Sequence, residues 1–168
     1  LVDVIIVATS NQKQDDLIAE HVKNEDDVIL YRGDEKDVLT RMFMAAKQNS
    51  LSHILRVTAD NPFFDWEIAD QLINMIKDNY YDYVSNNLVR TFPYGIDLEV
   101  IAYNALEIAA DEAISDFEHE HVTPFIRNND KRFKLGNLKN SINLSNDRLT
   151  VDTITDYEFV SSLFERFG

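Results

Sequence analysis

Short apolar runs rich in β-branched residues alternate with stretches of helical period along most of this chain, and that alternation limits what it can fold into. Residues 2–9 (VDVIIVAT) are nearly continuous in such residues, as expected for a strand covered on both faces. Further strand-like runs lie at 27–32, 53–58, 83–86, 97–103, 132–138 and 148–152. Helices are read at 16–23, 36–48, 66–77 and 104–113. The first should turn Leu17, Ile18 and Val22 inward; the second, Val38, Leu39, Met42, Phe43, Ala45 and Ala46. Ser115 with Glu118, and Thr155 with Glu158, have the spacing of capping boxes and open two more helices. Pro124 should end or kink the first of these. The last should bury Phe159, Val160, Leu163, Phe164 and Phe167. Strands alternating with helices predict an α/β layered domain with a mostly parallel sheet.

The 168 residues suit one domain over residues 1–168. The absence of cysteine excludes disulfides, thiolate metal sites and cysteine nucleophiles. A formal charge of −14 argues against nucleic-acid binding, because phosphate contacts need clustered cations. No apolar run approaches the ~20 residues of a membrane span, and no cationic leader is visible, so a cytoplasmic protein is expected. With four glycines and no G-x-G-x-x-G or Walker-type loop, a glycine-built phosphate cradle of those kinds is missing.

In open α/β sheets, ligands bind beyond the carboxyl ends of the strands. Thr9-Ser10-Asn11, Asp60 with Asn61 and Pro62, and Asp152 occupy such ends in this reading. If Asp60 and Asp152 converge, their hard oxygens suit Mg²⁺, which takes one or two carboxylates and completes its shell with substrate phosphates. Equally, Asp60 could simply open a turn before Pro62 and Asp152 precede a helix. Arg56 lies ~13 Å along the strand from Asp60, too far to share its ligand, and should pair with a buried carboxylate such as Asp37 or Asp34. Asp97 and Glu99 alternate onto one strand face, able to orient hydroxyls, to serve as a second metal contact or simply to line an exposed edge. Arg90 could fork a sugar carboxylate or phosphate, or lie idle on the surface. Asp37 and Arg41 have the spacing of a helical ion pair. His119 and His121 should face different ways, which makes a shared zinc site improbable, with His121 hydrogen-bonded to structure.

Seven stretches occur in a specific order: VATSN at 7–11, RGDEKDVLTR at 32–41, RVTADNP at 56–62, YVSNN at 83–87, RTFPYGIDLEV at 90–100, EHVTPFI at 120–126 and TVDTITDYEFV at 150–160. On these the chain resembles the cytidylyltransferase family that includes a spore coat polysaccharide protein and, more distantly, synthetases of CMP-activated acidic sugars. The resemblance implies a three-layer, Rossmann-like nucleotide-diphospho-sugar transferase fold, with CTP and a small sugar or sugar acid as substrates. It implies Mg²⁺ on Asp60 and Asp152, with Thr9, Ser10, Asp37 and Arg41 on the nucleotide side. Asn86, Arg90, Asp97 and Glu99 fall on the acceptor side. By the same resemblance the chain begins beyond the family's first strand and basic phosphate loop, and alone would bind CTP poorly. Ala59, Asn61 and Phe63-Phe64 depart from the family's usual Gly, Cys and smaller aliphatic pair.

Two other classes stay open. A degenerate relative could act as a non-catalytic binding module, and the aromatic-rich 90–103 stretch suggests a homodimer. A metal-dependent glycosyltransferase would share the layered fold, yet no Asp-x-Asp motif occurs, Asp97-Leu98-Glu99 being the nearest approach.

Overall fold

The computed structural model describes residues 2–167. In chain order it forms β1 (Ile5–Ser10), a single 3-10 turn (Lys13–Asp15), α1 (Asp16–Val22), β2 (Val28–Gly33), α2 (Val38–Gln48), β3 (His53–Arg56), α3 (Trp66–Asn79) and β4 (Tyr83–Ser85). There follow β5 (Glu99–Ala102), α4 (Tyr103–Glu112), α5 (Asp116–His121), α6 (Pro124–Arg127), β6 (Leu135–Asn137) and α7 (Ile154–Phe167). The chain divides into two compact units. The first runs to Ile54 and resumes over Ala102–Phe133; the second takes Leu55–Ile101 and everything from Lys134.

In the first unit, β1 and β2 pair in parallel, from Ile5 opposite Val28 to Ser10 opposite Gly33, so both strands end at one edge. Parallel strands need a crossover, and α1 supplies it. The expectation of a strand covered on both faces is corrected: Ile5 is 56% and Ile29 39% exposed. The inward face of α1 differs too. Its two turns present Ala19 and Val22, one i,i+3 pair, while Leu17 and Ile18 face out. Asp37 caps α2 by accepting the Thr40 N–H, and the helix buries Leu39, Phe43, Ala45 and Ala46. Phe43 meets the Tyr103 ring at 5.9 Å. The Ser115–Glu118 capping box opens α5 as the spacing predicts. Pro124 neither ends nor kinks α5, which stops at His121; it opens α6 as its first residue, where a missing N–H costs nothing. Val122, at φ 72, makes the turn between them and is fully buried, which holds a backbone that β-branched residues otherwise avoid.

The second unit centres on a four-stranded sheet in the order β3-β5-β4-β6. β4 runs antiparallel to β5 and parallel to β6, and Ser85 stands opposite both Glu99 and Asn137. Helix α3 is capped by Asp65, whose carboxylate accepts the Glu67 and Ile68 N–H groups, and it buries Ile68, Ala69, Leu72, Ile73 and Ile76. Two expectations fail here. Residues 148–152 form no strand; a lone bridge joins Tyr94 to Arg148, and the segment is held by separate backbone bonds rather than a ladder. The cap of α7 is Thr153, not Thr155: the Thr153 hydroxyl accepts the Asp156 N–H at 3.2 Å while the Asp156 carboxylate accepts the Thr153 N–H at 2.9 Å. The apolar face expected of α7 is not buried either. Only Val160 is buried, Phe159, Phe164 and Phe167 are exposed, and Phe164 stacks on Phe63 at 5.2 Å.

Candidate functional site

The site residues read from the sequence fall into two clusters, one in each unit. In the first unit, Thr9 and Ser10 close β1. Both hydroxyls donate to one Asp15 oxygen, Ser10 at 2.5 Å and Thr9 at 3.2 Å, and the Ser10 N–H joins them. The Ser10 hydroxyl leads the causes that hold the Asp15 carboxyl below its usual range. Arg32, at the end of β2, donates to the Ser10 carbonyl, the Gln12 carbonyl and Asp16. The Asn11 N–H bonds the Gly33 carbonyl at 2.8 Å, so the two strand ends form one braced edge.

The expected Asp37–Arg41 ion pair is not made. Asp37 instead caps α2 and faces His119 at 2.8 Å, because its Oδ1 points to the orphan N–H groups of the first turn. Arg41 folds back to the Asp34 and Glu35 carbonyls, and its Nε is buried with no partner among the described residues. Burial pulls the Arg41 pKa down, against the pull of Asp15, Asp34, Asp37 and Glu35. Of the two histidines, His119 is the one hydrogen-bonded to structure; His121 sets its ring edge-on to Phe117 at 4.5 Å.

In the second unit, the 86–100 segment is anchored by side chains pointing inward. Asn86 is fully buried; its amide donates to the Ile96 carbonyl at 2.6 Å and accepts the Leu98 N–H at 2.9 Å. Arg90 forks Asp97 with bonds of 2.6 and 2.8 Å and lies over the Tyr94 ring at 3.8 Å. That bidentate contact is the leading cause of a raised Arg90 pKa. Glu99 is 3% exposed, so an exposed strand edge does not describe it. Its carboxylate accepts from Arg56 at 2.5 Å and from the Tyr83 hydroxyl at 2.6 Å. Arg56 thus has the buried carboxylate the sequence called for, but Glu99 supplies it rather than Asp37 or Asp34. In the stretch expected to dimerise, Phe92 is buried and Tyr94 sits under Arg90.

The segment that leads into Asp152 meets Asp60 through the backbone. The Val151 N–H donates to the Asp60 carbonyl at 2.9 Å. Asp60 is half-buried, and no hydrogen bond joins its carboxylate to the described residues. Asp152 shares one oxygen between Arg148, at 2.5 Å, and the Thr150 hydroxyl, at 3.0 Å, and Arg148 leads in depressing its pKa. Its other oxygen makes no such bond. Among the described residues no three acidic, histidine or cysteine side chains gather as a ready-made metal site. Two carboxylates with open oxygens nevertheless fit Mg²⁺, which relies on substrate phosphates for the remainder of its shell.

Several supporting residues escaped the sequence reading. Arg32 acts over separations that no local pattern marks, whereas Asp15, Tyr94 and Arg148 meet near neighbours in loops that have no periodicity to flag them. Asp156 did carry a signal, the Thr153-x-x-Asp156 spacing of a cap. It accepts N–H groups of Asp152 and Thr153 and both ends of the Arg148 guanidinium.

Comparison with known proteins adds an independent line. A family model described as cytidylyltransferase matches residues 1–166. An uncharacterized protein of Methanocaldococcus jannaschii is 38% identical over 167 residues, covering 98% of this chain and 67% of that protein. Spore coat polysaccharide biosynthesis protein SpsF of Bacillus subtilis is 33% identical over 169 residues, 99% of this chain and 69% of SpsF. The solved cytidylyltransferase from Leptospira borgpetersenii superposes with a TM-score of 0.91 at 32% identity, over 97% of this chain and 69% of that one. A 4-diphosphocytidyl-2C-methyl-D-erythritol synthase from Anaerococcus prevotii shares the fold, with a TM-score of 0.61 at 15% identity over 98% of this chain and 83% of its own.

Proposed function

Because the chain belongs to the cytidylyltransferase family, a family of nucleotidyltransferases, we propose that it activates a sugar or sugar acid with CTP for polysaccharide synthesis. The acceptor hydroxyl oxygen forms a bond to the α-phosphorus. The bond between the α-phosphorus and the bridging oxygen breaks, pyrophosphate leaves with that electron pair, and the hydroxyl proton passes to solvent. Such transfers ask little covalent chemistry of the protein; positioning and charge stabilisation dominate.

In this reading Asp60 and Asp152 hold Mg²⁺, and neutralisation of the phosphate charge is the chemistry that ion supplies. The observation that carries the assignment is the bond from the Val151 N–H to the Asp60 carbonyl, which brings the residue before Asp152 to Asp60 from far along the sequence. Thr9, Ser10, Asp37 and Arg41 serve the nucleotide. The Arg41 Nε, a buried donor without an acceptor among the described residues, supports its place there, since such groups are costly to leave unmade. On the acceptor side, Arg90 and Asp97 present their remaining edges to the sugar as one unit. Asn86 and Glu99 act from behind them, fixing the backbone of the 86–100 segment.

The test uses the full-length protein and a pyrophosphate-release assay over nucleotide and sugar pairs. Asp60→Asn and Asp152→Asn should each abolish Mg²⁺-dependent release, with the Asp60→Asn melting curve nearly unchanged. Turnover surviving either substitution refutes the metal assignment. Silence of the wild type with every pair favours a non-catalytic relative.

A further inference from the structure

One tie in the first unit links the start of α2 to chain met 82 positions later. The His119 Nδ1 lies 2.8 Å from the Asp37 carboxylate, and its Nε2 lies 3.1 Å from the Ala113 carbonyl. Both partners can only accept. A neutral imidazole carries one N–H, so satisfying both contacts takes the imidazolium, with a proton on each nitrogen. The Asp37 contact is the leading cause of a raised His119 pKa, with burial opposing it and the Ala113 carbonyl adding to it. The charged groups that face the ring are Asp37 from α2 and, from α5 itself, Asp116 and Glu118. All three favour the cation. From α4 comes the Ala113 carbonyl just past its end, and α6 brings no charged group to the ring among the described interactions. The ring is itself held firmly, because α5 is fixed at its first turn by the Ser115–Glu118 box.

What the tie holds is the segment from Asp34 to Arg41. Asp34 accepts the Lys36 and Asp37 N–H groups, Asp37 caps α2, and Arg41 returns to the Asp34 carbonyl at 2.6 Å. These bonds are local to the segment. Two contacts fix it to chain outside its own neighbourhood: the Gln14 amide donates to the Glu35 carboxylate at 2.7 Å, and His119 meets Asp37, the tie that can carry a charge on both sides.

We propose that protonated His119 is a positioning residue for the nucleotide side, holding Asp37, and through it Arg41, in the geometry that receives CTP. The proposal rests on the assignment of that segment to the nucleotide. Its signature is that nucleotide affinity, not turnover, follows the His119 proton. Loss of one charge-assisted bond should weaken CTP binding about tenfold.

The experiment measures CTP affinity by calorimetry and KM and kcat by pyrophosphate release, in the full-length wild type, His119→Phe and His119→Gln, between pH 6 and 9. His119→Phe should raise Kd and KM for CTP about tenfold at pH 6 with kcat changed less than about twofold. His119→Gln, which keeps one donor, should fall between. The wild-type affinity should decline toward that of His119→Phe as pH rises, while the variant shows no such decline. Should His119→Phe not fold, the His119→Gln comparison and the wild-type pH profile decide alone. Equal CTP affinity in wild type and variants, even with a lowered melting temperature, overturns the proposal. A wild type that binds no CTP overturns the nucleotide assignment itself, and the proposal with it. A wild type that binds CTP with affinity indifferent to His119 leaves that assignment standing and removes only the positioning role.

Discussion

Glu99 shows how one buried charge organises its surroundings. It takes the Arg56 guanidinium on one oxygen and the Tyr83 hydroxyl on the other, with 4% of its side chain exposed against 19% for Arg56. Removing one partner of a buried pair leaves the other uncompensated, which costs far more than the pair contributes when whole. Glu99→Gln should therefore lower unfolding free energy by about 3 kcal/mol, and Tyr83→Phe by about 1 kcal/mol. Urea denaturation with an unchanged m-value checks both; equal losses would mean the Arg56 pair is not the dominant contact. The sequence legibly demanded a buried carboxylate for Arg56, but nothing local chooses among candidates. Glu99 wins because β4 places Tyr83 and β5 places Glu99 two steps apart on neighbouring strands, a pairing that exists only after the sheet forms.

At the scale of elements, the start of α7 is built from a few exposed charges. Folding depresses the Asp156 pKa from 3.8 to about 2, with the Thr153 contact the largest cause, then Arg148 and the Asp152 N–H. A depressed carboxyl stabilises the fold above its unfolded pKa and ceases to do so as pH falls through its folded one. The melting temperature of Asp156→Asn should thus lie below that of wild type at neutral pH, the gap closing as pH drops from about 4 to about 2. A gap independent of pH would show that shape, not charge, makes the cap. The same region marks the limit of what periodicity reveals. Helices α2 and α3 were readable from their long apolar stripes, while their caps, Asp37 and Asp65, emerge only in the structure. Residues 148–152 look like a strand through Leu149 and Val151, yet their backbone partners, Tyr94 and Asp60, come from two separate loops, so no ladder propagates. The two turns of α1 were too short for a stripe to be told from chance.

Across the whole molecule the dominant quantity is a formal charge of −14. Such an excess stresses the compact state by self-repulsion. Raising monovalent salt from about 0.01 M to about 0.15 M cuts the screening length from ~30 to ~8 Å and should raise the melting temperature. A fall instead would mean that attractive pairs such as Arg132–Glu112 and Arg148–Asp156 outweigh the repulsion. The sequence motifs led to the family because seven short segments keep their order, and segment order survives where single contacts are unreadable. Gly95 has φ +97, and a Cβ there would sit 2.6 Å from the Leu149 carbonyl carbon. Two loops therefore touch main chain to main chain at that spot, with no side chain to act as a cushion. The RTFPYGID loop cannot change its path at Gly95 while the stretch leading to Asp152 stays untouched; the two must drift as a matched set.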